Sequence, residues 1–150
     1  NVAPLRETLA AAMVLLTHYR GREVFLDPFC GSGTIPIEAA LIAMNRAPGI
    51  NRHFAAENFP FVEKTLWKEE REAAKNREFH GDYKIFASDN DPACVSLSMA
   101  NARRAGVDKL IVFEDADAGR KADKKRKLYN GMIQCNYYMY LGDMAKGRKK

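Results

Sequence analysis

The stretch Asp27-Pro28-Phe29-Cys30-Gly31-Ser32-Gly33-Thr34 decides how the rest of the sequence is read. The short apolar run Val24-Phe25-Leu26 precedes it, and a helical pattern from Ile35 to Met44 follows. An apolar run ending on an acid suits a buried parallel strand. Pro36 falls in the first turn of the helix, where a missing N–H costs nothing. Glu38 is expected to face the positive end of the helix dipole. Between strand and helix, Gly31 and Gly33 permit positive φ and let the backbone approach a ligand closely. A helix starting at such a turn favours a negative group, a carboxylate or a phosphate.

The pattern repeats on both sides. Leu5, Leu9, Met13 and Leu16 recur at helical spacing and predict an amphipathic helix from Leu5 to Tyr19, stopped by Gly21. Residues 46–60 carry turn chemistry, and a highly charged helix is expected over Val62 to Glu78. Lys84-Ile85-Phe86-Ala87-Ser88 predicts a second strand ending at Asp89. Pro92 opens the helix that follows this strand, with Val95, Met99 and Ala102 on one face and Gly106 as its stop. Leu110-Ile111-Val112-Phe113 predicts a third strand ending near Asp115 to Asp117. Strands alternating with helices imply a parallel sheet with right-handed crossovers, an α/β Rossmann-like domain.

Bulk properties narrow the class. A chain of 150 residues with 47% hydrophobic content builds one domain with a core. No apolar run reaches 18 residues, so no transmembrane helix is expected. Asn1 to Glu7 lack the features of a secretory signal. Cys30, Cys94 and Cys135 are widely spaced and odd in number. They fit a reducing, cytoplasmic setting and argue against a disulfide framework or a zinc site. The net charge of +5 is uneven: residues 119–150 hold 10 Lys/Arg against Asp123 and Asp143. That end is either a solvated tail or a phosphate-binding surface.

In open α/β sheets ligands sit beyond the carboxyl ends of the strands. Asp27, Asp89 and Asp117 stand at those ends, with Asp115 as the alternative to Asp117. A carboxylate at the second strand end can accept from both ribose hydroxyls. In a simple dinucleotide fold that acid follows the glycine loop by about 20 residues. Asp89 comes much later because of the 46–82 insertion, which counts against an NAD enzyme. The competing role for Asp89 is a cap ahead of Pro92, for which Asp91 is better placed. The acid of the third strand could accept from an adenine amine. The Cys30 side chain reads as packing rather than as a nucleophile, since no His or base lies near it in sequence. His18, His53 and His80 show no ligand spacing.

The octapeptide resembles motif I of nucleic-acid methyltransferases, in which the loop wraps the methionine part of S-adenosylmethionine. Further pieces extend the likeness: Ala3-Pro4-Leu5-Arg6-Glu7-Thr8-Leu9-Ala10-Ala11-Ala12, Ile37-Glu38-Ala39-Ala40, Ala47-Pro48-Gly49, Asp89-Asn90-Asp91 and Asn101-Ala102-Arg103-x-Ala105-Gly106. With them, residues 2–118 resemble the catalytic domain of the THUMP-containing 23S rRNA guanine-N2 methyltransferases, the ribosomal large subunit methyltransferase L group. The resemblance implies a class I methyltransferase fold, S-adenosylmethionine as donor and a guanine of large-subunit rRNA as acceptor. It implies a donor site made by Asp27, Pro28, Cys30, Gly31, Ser32, Gly33 and Thr34, together with Thr8, Asp89, Asn90 and Asp117.

The sequence departs from that family after the third strand. The family's Asn-Pro-Pro-Tyr motif presents the target amine, and no proline occurs here after Pro92. Asn136-Tyr137-Tyr138 lacks both prolines. Residues Gly119 to Ile133 instead resemble the family's extreme C-terminus, the last antiparallel hairpin of a seven-stranded sheet. The expectation is therefore a discontinuous sequence. Residues 1–118 carry motifs I to III, 119–150 carry the hairpin and tail, and a central stretch is missing near Ala118–Gly119. An RNA-binding domain is expected before Asn1. The rival readings are a DNA adenine-N6 or other amino-methyltransferase, and a catalytically inactive cofactor- or RNA-binding module.

Overall fold

The computed structural model describes residues 4–117. The C-terminal hairpin and the 118–119 junction lie outside the described residues. The order is α1 (Glu7–Leu16), β1 (Phe25–Asp27), α2 (Thr34–Ala43), a 3₁₀ turn (Ala55–Asn58), α3 (Lys64–Asn76), β2 (Ile85–Asp89), α4 (Pro92–Ala105), a second 3₁₀ turn (Asp108–Leu110) and β3 (Ile111–Asp115). The three strands form one parallel sheet in the order β1-β2-β3. Leu26 pairs with Phe86, and Asp89 lies opposite Asp115. Among the described residues β1 is therefore an edge strand although it carries the glycine loop.

The core lies between the sheet and its helices and is built largely from small residues. Ala39, Ala40 and Ala43 of α2 are buried with Ile85 and Ala87 of β2, Ala102 of α4, Val107 and Ile111. Small side chains let α1 and α2 pack closely, which changes the face that α1 turns inward. Ala10 and Val14 are its buried residues, whereas Leu9, Leu15 and Leu16 are exposed. The leucine-and-methionine stripe expected to face the core therefore does not supply it. α1 also stops earlier than expected. It ends at Leu16, and His18 already takes a left-handed φ of 57° before Gly21 does so at 84°. Added at Gly21, a Cβ would meet the Cβ of Ala43 at 2.8 Å, so this glycine is required for packing as well as for its turn.

Two further local expectations are corrected. Glu38 lies in the second turn of α2, not at its positive end, and is buried. Its carboxyl is held above the usual range by burial first and the Glu7 charge second, with Arg52 opposing. On α4 the buried stripe is Val95, Ser98 and Ala102, and Met99 is exposed. The helix needs a polar residue at 98 because that position faces the glycine loop. The ends of α4 follow the sequence rules. Asp91 caps it by accepting from the Ala93 N–H at 2.9 Å, Pro92 sits in its first turn, and Gly106 ends it at φ 71°.

The insertion between α2 and β2 leaves and returns at one point. The Phe79 N–H donates to the Met44 carbonyl at 2.8 Å, and Asn45 Nδ2 donates to the Arg77 carbonyl at 3.1 Å. Arg46 adds an ion pair with Glu78 at 3.5 Å. Within the insertion Arg71 bonds Glu57 and lies over the Trp67 ring, which stacks on Phe54. Among the described residues no helix is long and apolar enough to cross a membrane.

Asp91→Ala removes the α4 cap, and the expected cost is about 1 kcal/mol, with Asp91→Asn close to wild type. Urea unfolding midpoints of the three proteins measure it.

Candidate functional site

The glycine loop is assembled by long-range bonds at the carboxyl ends of β1 and β2. β1 ends in Asp27, whose Oδ1 accepts from the Phe29 N–H at 3.1 Å, an Asx turn that starts the loop. The Cys30 N–H donates to the Ser88 carbonyl at 2.9 Å. The Gly31 N–H donates to Asp89 Oδ2 at 2.9 Å, and the other Asp89 oxygen accepts from the Asp91 N–H at 3.0 Å. Gly33 closes the turn by donating to the Cys30 carbonyl at 2.7 Å and then accepts the first α2 bond, from the Ile37 N–H. Ser32 Oγ and Thr34 Oγ1 bond each other at 3.0 Å.

The two glycines do different work. Both have left-handed backbone, φ 54° at Gly31 and 81° at Gly33. A Cβ on Gly31 would project into open space, with nothing within 4 Å. A Cβ on Gly33 would lie 2.9 Å from the Cβ of Ser98. Gly33 thus allows the loop to pack on α4, and Gly31 keeps the outer side of the loop open.

Electrostatics single out Asp27. It is buried, and its Oδ2 has no hydrogen-bond partner among the described residues. Burial, helped by the Asp89 charge and opposed by the Phe29 N–H, pushes its carboxyl up to about 6. A buried acceptor without a donor costs free energy, and a cationic donor reaching Oδ2 would remove that cost. Cys30 is also buried, with its Sγ 3.6 Å from Ser98 Oγ. Burial pushes its thiol pKa up, which suits packing and not nucleophilic attack.

The other residues expected at the site take no part in the bonds that tie Cys30 and Gly31 to Ser88 and Asp89. Pro28 is half-buried in the loop, and Asn90 is exposed beside Asp89. Asp115 ends β3 opposite Asp89, and Asp117 is exposed two residues further on. The Ala116 N–H donates to the Asp89 carbonyl at 2.9 Å, so this strand end is tied to the same site. Thr8 is exposed in the first turn of α1, and the bonds that assemble the loop are made by other residues. No group of three His, Cys, Asp or Glu among the described residues could hold a metal ion. Sequence reasoning missed Ser98, Asn101 and Arg104. The signal was there: polar side chains three apart on α4, one of them at a position the helical pattern buries.

Residues 1–138 match the family model for the RMKL-like methyltransferase domain. The chain belongs to this family. It is 35% identical over 209 residues to a Bacillus subtilis protein named "Putative RNA methyltransferase YpsC", covering 99% of this chain and 54% of that one. It is 46% identical over 121 residues to the ribosomal RNA large subunit methyltransferase K/L of Vibrio campbellii, covering 77% of this chain and 17% of that one. The chain thus spans about half of one relative and less than a fifth of the other. Among solved structures it superposes on SMU.472, described as "a putative methyltransferase complexed with SAH", with a TM-score of 0.72 and 38% identity. That match covers 76% of this chain and 30% of SMU.472. These matches agree with the parallel Rossmann-like fold seen here.

The raised Asp27 pKa has a stability consequence. The unfolded chain ionises this carboxyl near its ordinary value of 3.8 and the folded chain only near 6. Between those values the folded state binds more protons, so rising pH destabilises it, by about 3 kcal/mol at most. Asp27→Asn should show less of this fall between pH 4 and pH 6 and be the more stable protein at pH 7.5. Urea midpoints of both proteins across that range are the check. A parallel pH dependence in the two would exclude Asp27 as the source.

Proposed function

We propose that this chain forms the S-adenosylmethionine site of an RNA methyltransferase acting on N2 of a guanine in large-subunit rRNA. The observation that carries the proposal is the Asp27 Oδ2, unpartnered among the described residues, beside a glycine loop whose Gly31 N–H is held by Asp89. The residues fit the donor chemically. Its methionine ammonium is the cationic donor that Asp27 lacks, and such a contact would bring the Asp27 pKa back down. Asp89 keeps lone pairs for ribose hydroxyls after accepting its two backbone bonds. Asp117 is assigned to the adenine amine. Pro28, Cys30, Gly31, Ser32, Gly33 and Thr34 supply the loop, and Asn90 and Thr8 are assigned to the same donor site. The bound donor supplies an activated methyl on sulfonium sulfur. This chain's part is to hold it in line with the acceptor nitrogen, a positioning role without a covalent enzyme intermediate.

The names of the relatives support RNA, and specifically ribosomal RNA, as acceptor. An rRNA substrate also suits a cytoplasmic protein. The solved relative crystallised with SAH supports the donor class.

The acceptor side is a separate proposal. The alignment with the Bacillus protein runs 209 residues against the 150 of this chain, so at least 59 of its positions face no residue here. We assign that difference to a segment between Ala118 and Gly119 that carries the Asn-Pro-Pro-Tyr landmark. Among the described residues β1 pairs on one side only, and this supports the assignment, because exposed edges are normally paired or covered. Sequencing the gene through this point should reveal the extra codons. Directly adjacent codons for Ala118 and Gly119 would reject it and favour an inactive binding module.

For the donor site, isothermal calorimetry of this chain with S-adenosylhomocysteine should give a saturable isotherm. Asp89→Ala should weaken binding about ten-fold or more, through loss of the ribose contact and of the Gly31 anchor. Absence of binding by the wild-type chain would end the donor reading. Methylation of rRNA from a strain lacking the modification, by the full-length protein, separates an enzyme from a binding module.

A further inference from the structure

Helix α4 grips the glycine loop from behind through three polar side chains. Ser98 is fully buried, and its Oγ donates to the Gly31 carbonyl at 2.7 Å. Asn101 Nδ2 donates to the next carbonyl, that of Ser32, also at 2.7 Å. Arg104 donates from Nη2 to Asn101 Oδ1 at 2.6 Å. Spacing of three residues places all three along one side of the helix. The order of these bonds matters chemically. A guanidinium only donates, so it can pair only with the oxygen end of the Asn101 amide. That pairing turns the amide NH₂ toward Ser32.

Holding two successive carbonyls also fixes what faces the other way. In a trans peptide the N–H points opposite to the C=O of the same unit, and the described residues contain no cis peptide. With the Gly31 carbonyl drawn to α4, the Ser32 N–H is directed away from α4. Gly33 completes the fit, because its lack of a Cβ lets the loop settle onto Ser98.

We propose that Ser98, Asn101 and Arg104 are positioning residues for donor binding, setting the loop's conformation without contacting the donor. The proposal rests on the reading that this loop holds S-adenosylmethionine. Arg104 acts at one remove, by orienting Asn101.

Asn101→Asp is the decisive variant. It keeps the size of the side chain and pairs well with Arg104, but it presents only acceptors to the Ser32 carbonyl. Two readouts on this chain are needed: calorimetric affinity for S-adenosylhomocysteine, and amide hydrogen exchange at Gly31 and Gly33, whose N–H groups are bonded inside the site. The expected result is a five- to ten-fold loss of affinity, consistent with one lost hydrogen bond. Exchange at both glycines should accelerate while the thermal midpoint stays near wild type. Arg104 is exposed, so Arg104→Ala should fold and lose a few-fold in affinity, with Arg104→Lys restoring most of it. Unchanged affinity in Asn101→Asp and Arg104→Ala overturns the proposal. So does unchanged glycine exchange in Asn101→Asp, whether or not the wild-type chain binds donor. Faster exchange combined with a wild-type chain that binds nothing would uphold the clamp and count against the donor reading alone.

Discussion

The bond from the Gly31 N–H to the Asp89 carboxylate, at 2.9 Å, joins two segments 58 residues apart in the chain. Its geometry depends on the parallel pairing of β1 with β2, in which Asp27 lies opposite Ala87. That register carries β2 two residues past the end of β1, so the loop leaving β1 runs beside the acid that ends β2 and can be anchored by it. The Cys30 N–H to Ser88 carbonyl bond continues the same pairing into the loop. A shift of either strand would separate the acid from the N–H it holds, and the loop would lose its anchor on the sheet.

Around this anchor the site carries local destabilisation that the surrounding fold tolerates. A buried carboxylate oxygen without a partner among the described residues is unfavourable in the free chain. The small-residue core of α2, β2 and α4 offsets it by close packing. A carboxylate, once kept unsatisfied in this way, discriminates between ligands. It rewards a cationic donor and repels an anionic one, which makes the loop selective beyond the general preference of a helix N-terminus for negative groups.

Much of this was legible in sequence because it is governed by local chemistry. Pro36 and Pro92 marked helix starts, Gly106 marked a stop, and acids after short apolar runs marked the strand ends. The inward face of α1 was not legible. Hydrophobicity favoured Leu9 and Leu16, whereas close approach to the alanines of α2 selected Ala10 and Val14. That outcome depends on the shape of a partner helix, which no pattern within α1 records. The clamp from α4 was hidden for a similar reason. Ser98 falls on the stripe that the helical pattern buries and Asn101 lies three residues on, but nothing within α4 names their partner, a loop nearly 70 residues earlier. Asp27, by contrast, stood out as a site residue, but its unsatisfied oxygen emerges only from the packing around it.

The neck of the insertion has a consequence for how this architecture can vary. Met44, Asn45 and Arg46 clasp Arg77, Glu78 and Phe79, so the chain departs and re-enters within a few ångströms. Arg46 also donates to the Gly106 carbonyl at 3.4 Å, fastening the clasp to the end of α4. The entropy of closing a loop grows only slowly with its length once its ends are held together. Everything between the clasped ends can therefore be lengthened, shortened or exchanged for another module with little effect on the strand register. The clasp works as a grafting point: it separates the part of the molecule free to diverge from the part whose geometry must be kept.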